Sequence, residues 1–152
     1  MNPFAEMLEG NVVIAGIGNP IRGDDGLGCY LVNRLKDRVK ALCVDTGATP
    51  ENYLGKIMRE KPDTLLLIDA MHLDKQPGEF AIMPPEELAQ QFPATHGFPL
   101  KMWIDQFSDG GGAKVFFLGV QPQNVAIGET LSAPVQTTVD RLEAWIVEVM
   151  SI

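Results

Sequence analysis

Short runs of apolar residues alternate along the chain with segments in which apolar residues recur every three or four positions. The runs predict five β-strands, at residues 12–18, 39–46, 64–70, 79–83 and 115–120. The first run does not alternate between apolar and polar positions, which is typical of a central strand covered on both faces.

Helices are predicted in the intervening segments. One covers residues 24–36, where Leu27, Leu31 and Leu35 fall on one helical face. The others are predicted at residues 49–60, 84–91, 100–107 and 132–150, the last with an apolar stripe of Val135, Val139, Leu142, Ile146 and Val149. Strands that alternate with helices indicate an α/β fold, with a mostly parallel sheet and helices on both faces, in one domain over residues 1–152.

Composition and charge exclude several classes of function. The 152 residues carry a formal net charge of −8. This charge argues against binding to nucleic acid or to an anionic membrane surface, and it suits a cationic ligand or a basic partner.

No apolar run is long enough to span a membrane, and residues 1–10 do not resemble a signal peptide. Cys29 and Cys43 lie inside apolar runs without a CxxC pair, which indicates reduced core thiols in a cytoplasmic protein.

The candidate chemistry falls at the carboxyl ends of the predicted strands, where α/β proteins bind their ligands. Asp24 and Asp25 follow the first strand and a Gly-Asn-Pro turn, at the start of a helix. A single carboxylate there would be explained by helix capping. Because there are two, we expect Asp24 to serve the turn and Asp25 to face the crevice.

Other candidates lie farther along the chain. Asp69 ends the third strand, and it must lie at the rim or be paired, because a lone buried charge is costly. Asp45 is weaker, since Asp-Thr-Gly at the end of the second strand is explained by an Asx turn. His96 lies in a loop between two prolines, whereas His72 has polar neighbours and is expected at the surface.

Metal binding is better supported than the other chemistries. Two carboxylates and an imidazole suit nickel, zinc, iron or manganese, and the ligand types alone do not choose among them. A nucleophilic hydrolase is disfavoured, because there is no Gly-x-Ser-x-Gly motif and neither histidine has a nearby Ser or Cys. Gly16 and Gly18 lack the third glycine of a dinucleotide fingerprint, which would fall at Ile21.

Four stretches together form a more specific pattern. They are GIGNPIRGDDGLG at the first strand, LLIDA at the third, ATHGFPL around His96 and FFLGVQP at the last strand. With them the chain resembles the nickel–iron hydrogenase maturation endopeptidases over nearly its whole length. GN-x-x-x-GDDG-x-G is shared with the wider family, whereas DTG-x-x-PEN, T-H-x-x-PL and LG-x-QP resemble the branch that processes large subunits of the hydrogenase-3 type.

The resemblance implies a three-layer α/β/α sandwich with a five-stranded, mostly parallel sheet and one antiparallel strand at residues 79–83. It implies an endopeptidase that removes the C-terminal extension of a hydrogenase large-subunit precursor after nickel insertion. By position, the family's metal-contacting residues correspond to Asp25, Asp69 and His96, which are then also the expected catalytic residues. Nickel would be carried by the precursor and held weakly or not at all by the isolated protein, which we expect to be a monomer.

Other functions use the same residues and are left open. A self-contained metallohydrolase would carry its own zinc on Asp25, Asp69 and His96 and would cleave generic peptides. A non-catalytic nickel chaperone or docking module would bind the precursor without cutting it. If the three residues serve folding alone, His96→Ala would lower stability and spare processing. For the endopeptidase, either the metal polarises the peptide bond or a carboxylate orients the attacking water.

Overall fold

The computed structural model describes residues 1–84, 87, 94, 95 and 98–152, and for residues 94, 95, 98–101 and 109 it describes the backbone only. The strands are β1 Val12–Ile17, β2 Leu42–Gly47, β3 Thr64–Ala70, β4 Phe80–Met83, β5 Ala94–Thr95, β6 Phe98–Pro99 and β7 Lys114–Val120. The helices are α1 Leu27–Leu35, α2 Leu54–Arg59, α3 Leu100–Trp103 and α4 Ala133–Met150. Turns of 3₁₀-helix at Gly23–Gly26 and Pro50–Tyr53 precede α1 and α2, and a π-helix, Ile104–Asp109, continues α3.

The main sheet has five strands in the order β2-β1-β3-β7-β4. Strands β1, β2, β3 and β7 are parallel, and β4 pairs antiparallel with β7 at one edge. All of β1 is buried, as predicted for a central strand. The predicted mostly parallel sheet with one antiparallel strand is therefore confirmed. A separate antiparallel ribbon is formed by β5 and β6.

Apolar side chains form one cluster on each face of this sheet. In β1, Val12 and Ile14 belong to the cluster that contains α1 and α4, whereas Val13 and Ile17 belong to the cluster that contains α2 and Trp103. This follows from the alternation of side chains along a strand. The result is the expected three-layer α/β/α sandwich. In the described part of the chain, no helix has the length and apolar character needed to cross a membrane.

The apolar faces of the two long helices agree with the prediction. Leu27, Leu31 and Leu35 of α1 are fully buried. In α4 the predicted stripe is buried as far as Ile146, but its last member is Met150, and Val149 is only partly buried. Residues three and four positions after Ile146 both lie near its face of the helix, and Val149 packs at the margin of the same cluster.

Some predicted boundaries are wrong. The helix expected from residue 24 begins as the 3₁₀ turn, and regular α-helix starts only at Leu27. The strand expected from residue 39 starts at Leu42, because Val39 forms an isolated antiparallel bridge with Ser151 instead. The helix expected over 100–107 widens into the π-helix. The helix predicted at 84–91 falls largely outside the described residues.

Two glycines bring α1 close to the sheet. A Cβ atom on Gly16 would lie 2.1 Å from the carbonyl oxygen of Gly28, and one on Gly28 would lie 2.4 Å from the carbonyl oxygen of Ile68. Both obstacles are backbone atoms, so no side-chain rotation would relieve the contact. The beginning of α1, and the turn that precedes it, are therefore held against the ends of β1 and β3.

We expect Gly28→Ala to lower the free energy of unfolding by ~1–3 kcal/mol or more, because the added methyl group must push α1 away from the sheet. Urea unfolding would measure the change. Gly55→Ala is the matched control, since a Cβ there would meet only Arg59 Nη1, at 3.5 Å. Alanine is expected to stabilise α2 at that position by about 0.5–1 kcal/mol. A Gly28→Ala protein as stable as the unmodified one would contradict the tight contact.

Candidate functional site

Three aspartates lie at the carboxyl edge of the sheet, where the sequence predicted them. Asp25 is in the 3₁₀ turn after β1, Asp45 is near the end of β2, and Asp69 is the last residue but one of β3. Asp69 is fully buried, Asp25 is half-buried and Asp45 is exposed. The three carboxylates therefore lie at the same edge of the sheet but differ in their exposure to solvent.

Gly18 brings the Asp25 and Asp69 segments together. Its φ is +142°, and a Cβ there would lie 1.9 Å from the Asp25 carbonyl oxygen and 3.5 Å from Asp69 Oδ1. A side chain at position 18 would therefore collide with the Asp25 backbone and would reach ordinary van der Waals contact with the Asp69 carboxylate. Backbone N–H groups orient both carboxylates, because Asn19 N donates to Asp25 Oδ2 at 3.1 Å and Ala70 N donates to Asp69 Oδ1 at 2.7 Å.

The third predicted site residue, His96, lies outside the described residues. Among the residues that are described, no three His, Cys, Asp or Glu side chains are grouped so that they could hold a metal ion. The ligand set of Asp25, Asp69 and His96 thus stays a prediction. His72 is exposed, as expected, and its Nδ1 lies 3.4 Å from Gln121 Nε2.

Asp24 holds a distant part of the chain. It is fully buried. Its Oδ2 accepts hydrogen bonds from Gln123 N at 2.8 Å, Asn124 N at 3.0 Å and Ser132 Oγ at 2.8 Å, and its Oδ1 accepts one from Ser132 N at 2.7 Å. The prediction that Asp24 serves its own turn is corrected: it fastens that turn to segment 123–132. The partners lie 99 to 108 residues later, which is why local sequence patterns did not reveal them.

Asp45 closes its own turn, as the Asx interpretation predicts. Gly47 N donates to its Oδ1 at 3.0 Å, and Asn33 Nδ2 donates to its Oδ2 at 2.8 Å. Partial desolvation raises the pKa of this carboxyl, but the nearby Cys29 thiol and the hydrogen bonds from Asn33 and Gly47 outweigh it and hold the pKa below its usual range. Asp45 is therefore ionised at neutral pH and already has donors on both oxygens.

Cys29 is a free, buried thiol beside the candidate site, and its Sγ donates to the Gly18 carbonyl oxygen at 3.5 Å. Burial, together with the nearby Asp45 and Asp69 carboxylates, raises the pKa of this thiol far above its ordinary value. Cys43 is half-buried rather than buried, and desolvation raises its pKa to about 11. Because the thiolate is the reactive form, these raised pKa values disfavour a nucleophilic role for either cysteine at neutral pH.

A groove of about 730 Å³ opens beside the turn that carries Asp25. Its walls include Pro20, Gly23 and Gly26 from that turn, side chains of α1, and residues 129–131. Its volume is in the range of clefts that bind small ligands or peptide segments. Sequence analysis did not find it, because the walls come from separated parts of the chain.

Known proteins of one family match most of the chain. The family model for hydrogenase maturation proteases matches residues 29–149. The hydrogenase 3 maturation protease of Escherichia coli K12 is 36% identical over 140 residues, which cover 88% of this chain and 89% of that protein. The crystal structure of the NiFe hydrogenase maturation protease HycI from Thermococcus kodakarensis KOD1 has a TM-score of 0.84 at 34% identity, over 96% of this chain and 94% of that one. The solution structure of the endopeptidase HycI from Escherichia coli has a TM-score of 0.77 at 34% identity, over 90% and 91% of the two chains.

The contacts of the two adjacent aspartates predict different effects on stability. Asp24→Asn places an amide NH₂ among donors, so we expect a loss of about 1.5–3 kcal/mol for each hydrogen bond to the charge that is broken. Asp25→Asn keeps an oxygen that can accept from Asn19 N, so we expect a smaller loss than for Asp24→Asn. Urea unfolding of both variants would test this. Equal losses would contradict the division of roles between the two side chains.

Proposed function

The chain belongs to the hydrogenase maturation protease family and is a peptidase of the HycI type, and from this we propose that it removes the C-terminal extension of a nickel–iron hydrogenase large-subunit precursor after nickel insertion. The 36% identity to the hydrogenase 3 maturation protease of Escherichia coli supports this substrate class. We place the reaction in the cytoplasm.

Nickel bound to the precursor is the proposed recognition element. The metal is held by cysteines of the precursor and docks against Asp25, Asp69 and His96. Carboxylate oxygen and imidazole nitrogen are both suitable ligands for nickel. Asp25 is half-buried and thus reachable from outside, whereas Asp69 is fully buried. Since the metal arrives with the substrate, an unloaded precursor offers nothing for these residues to bind and is left uncut.

Cleavage of the peptide bond consumes one water molecule. Its oxygen adds to the scissile carbonyl carbon, a carboxylate of the site accepts a proton, and that proton passes to the leaving nitrogen as the C–N bond breaks. A cysteine nucleophile is not needed, and the raised pKa values of the Cys29 and Cys43 thiols disfavour one.

The observation that carries the proposal is the meeting of the Asp25 and Asp69 segments around Gly18. The neighbouring carboxylates have other tasks, because Asp24 holds segment 123–132 and Asp45 closes its own turn. We therefore propose Asp25 and Asp69, whose segments meet at Gly18, as the pair that contacts substrate.

We expect the protein to cut a nickel-loaded large-subunit precursor and to leave the same precursor without nickel intact. Asp25→Asn, Asp69→Asn and His96→Ala are each expected to slow cleavage by about a hundredfold or more, because each removes a group from the reacting centre. Asp140→Asn, which changes an exposed aspartate of α4, is the matched control and should retain activity. The mass of the precursor's C-terminus would report the cut.

Three results would point elsewhere. Equal cutting of loaded and unloaded precursor, abolished by chelation of the enzyme before mixing, would indicate a metallohydrolase with its own zinc. Binding of the loaded precursor without cleavage would indicate a nickel chaperone or docking module. Normal processing by a destabilised His96→Ala variant would restrict that residue to folding.

A further inference from the structure

We propose that an exposed apolar patch beside Asp25 is the surface on which the folded part of the large-subunit precursor docks. The patch consists of Ile21, Val125 and Ile127, whose exposed fractions are 61%, 36% and 70%, and is called the rim patch below. The inference rests on the proposed function, since it concerns how that substrate is held while its tail is cut.

The rim patch is built from two segments that are fastened to each other. Gly128 N donates to the Ile21 carbonyl oxygen at 2.8 Å, and Asp24 N donates to the Asn124 carbonyl oxygen at 2.8 Å. The buried Asp24 carboxylate adds hydrogen bonds to both ends of segment 123–132. The apolar side chains are therefore presented in a fixed arrangement, which lowers the entropy cost of binding a partner.

The area that a protein partner usually covers supports the precursor as the molecule that binds the rim patch. Ile21 precedes Asp25 by four residues, so their Cα atoms are no more than about 14 Å apart. A partner in a standard interface covers about 800 Å² on each side, which is a disc with a radius of about 16 Å. A folded substrate centred on Asp25 therefore covers Ile21, and with it the adjoining Ile127.

The distribution of exposed apolar side chains supports the same conclusion. In the described part of the chain, the other large exposed apolar residues are Met58, on α2, and Met1 and Ile152 near the two ends of the chain. Single exposed apolar residues are ordinary, but several gathered beside a candidate site mark an interaction surface. The groove next to Asp25 is lined by other residues of the same two segments, among them Pro20, Gly23 and residues 129–131.

The test is the double variant Ile21→Ser/Ile127→Ser, assayed with nickel-loaded precursor. We expect both the Kd and the KM for the precursor to rise by about tenfold or more for each isoleucine replaced, with kcat unchanged. Both side chains are exposed, so thermal unfolding should match that of the unmodified protein. Met58→Ser, which replaces a residue that is 40% exposed near the end of α2, is the matched control and should leave Kd and KM unchanged.

Binding and cleavage are measured separately so that the two proposals fail separately. If the unmodified protein cleaves the precursor and the double variant has unchanged Kd and KM, the rim patch is overturned and the proposed function stands. If the unmodified protein binds without cleaving, the proposed function fails, and the Kd of the double variant still decides the rim patch. A protein that sediments as a dimer, and becomes monomeric in the double variant with unchanged Kd for the precursor, would assign the patch to self-association and overturn the inference.

Discussion

The position of the candidate site depends on a backbone contact that leaves no room for side chains. At Gly16 and Gly28, β1 and α1 approach so closely that a Cβ on either would overlap a carbonyl oxygen. This contact sets where the connecting turn begins and ends. Gly18 then allows the turn to pass between the Asp25 carbonyl and the Asp69 carboxylate. Glycines, which have no side chain, thus determine where the candidate catalytic carboxylates lie.

Hydrogen-bond donors, rather than exposure, separate the roles of the aspartates at this edge. A buried carboxylate is tolerated when donors compensate for the lost water, and Asp24 has them from the backbone and hydroxyl groups of segment 123–132. Asp45 is exposed but has donors of its own. Asp25 follows Asp24 directly, yet it binds the backbone of its own turn. One of the two adjacent aspartates thus fastens segment 123–132, and the other accepts a hydrogen bond within its own turn.

The sequence predicted those features that depend on local pattern. The bounds of β3 are those expected, because seven residues in an apolar run lie between polar segments. The sheet edge that carries Asp25, Asp45 and Asp69 also followed from the alternation of strands and helices, which predicts a parallel sheet. Features that need distant partners were missed. The start of β2 depends on the bridge from Val39 to Ser151, and the role of Asp24 depends on residues about one hundred positions away. The groove and the rim patch form only when the turn after β1 meets segment 123–132.

The length of α4 separates the candidate site from both ends of the chain. The helix begins beside Asp24, and its 18 residues rise about 27 Å toward the opposite edge of the sheet. There Ser151 bridges Val39, and Asn2 Nδ2 donates to the Trp145 carbonyl oxygen at 2.8 Å. Residues 2 and 151 therefore lie toward the edge of the sheet opposite the candidate site, so attaching the protein to a sensor surface near either of them would leave the carboxyl edge accessible.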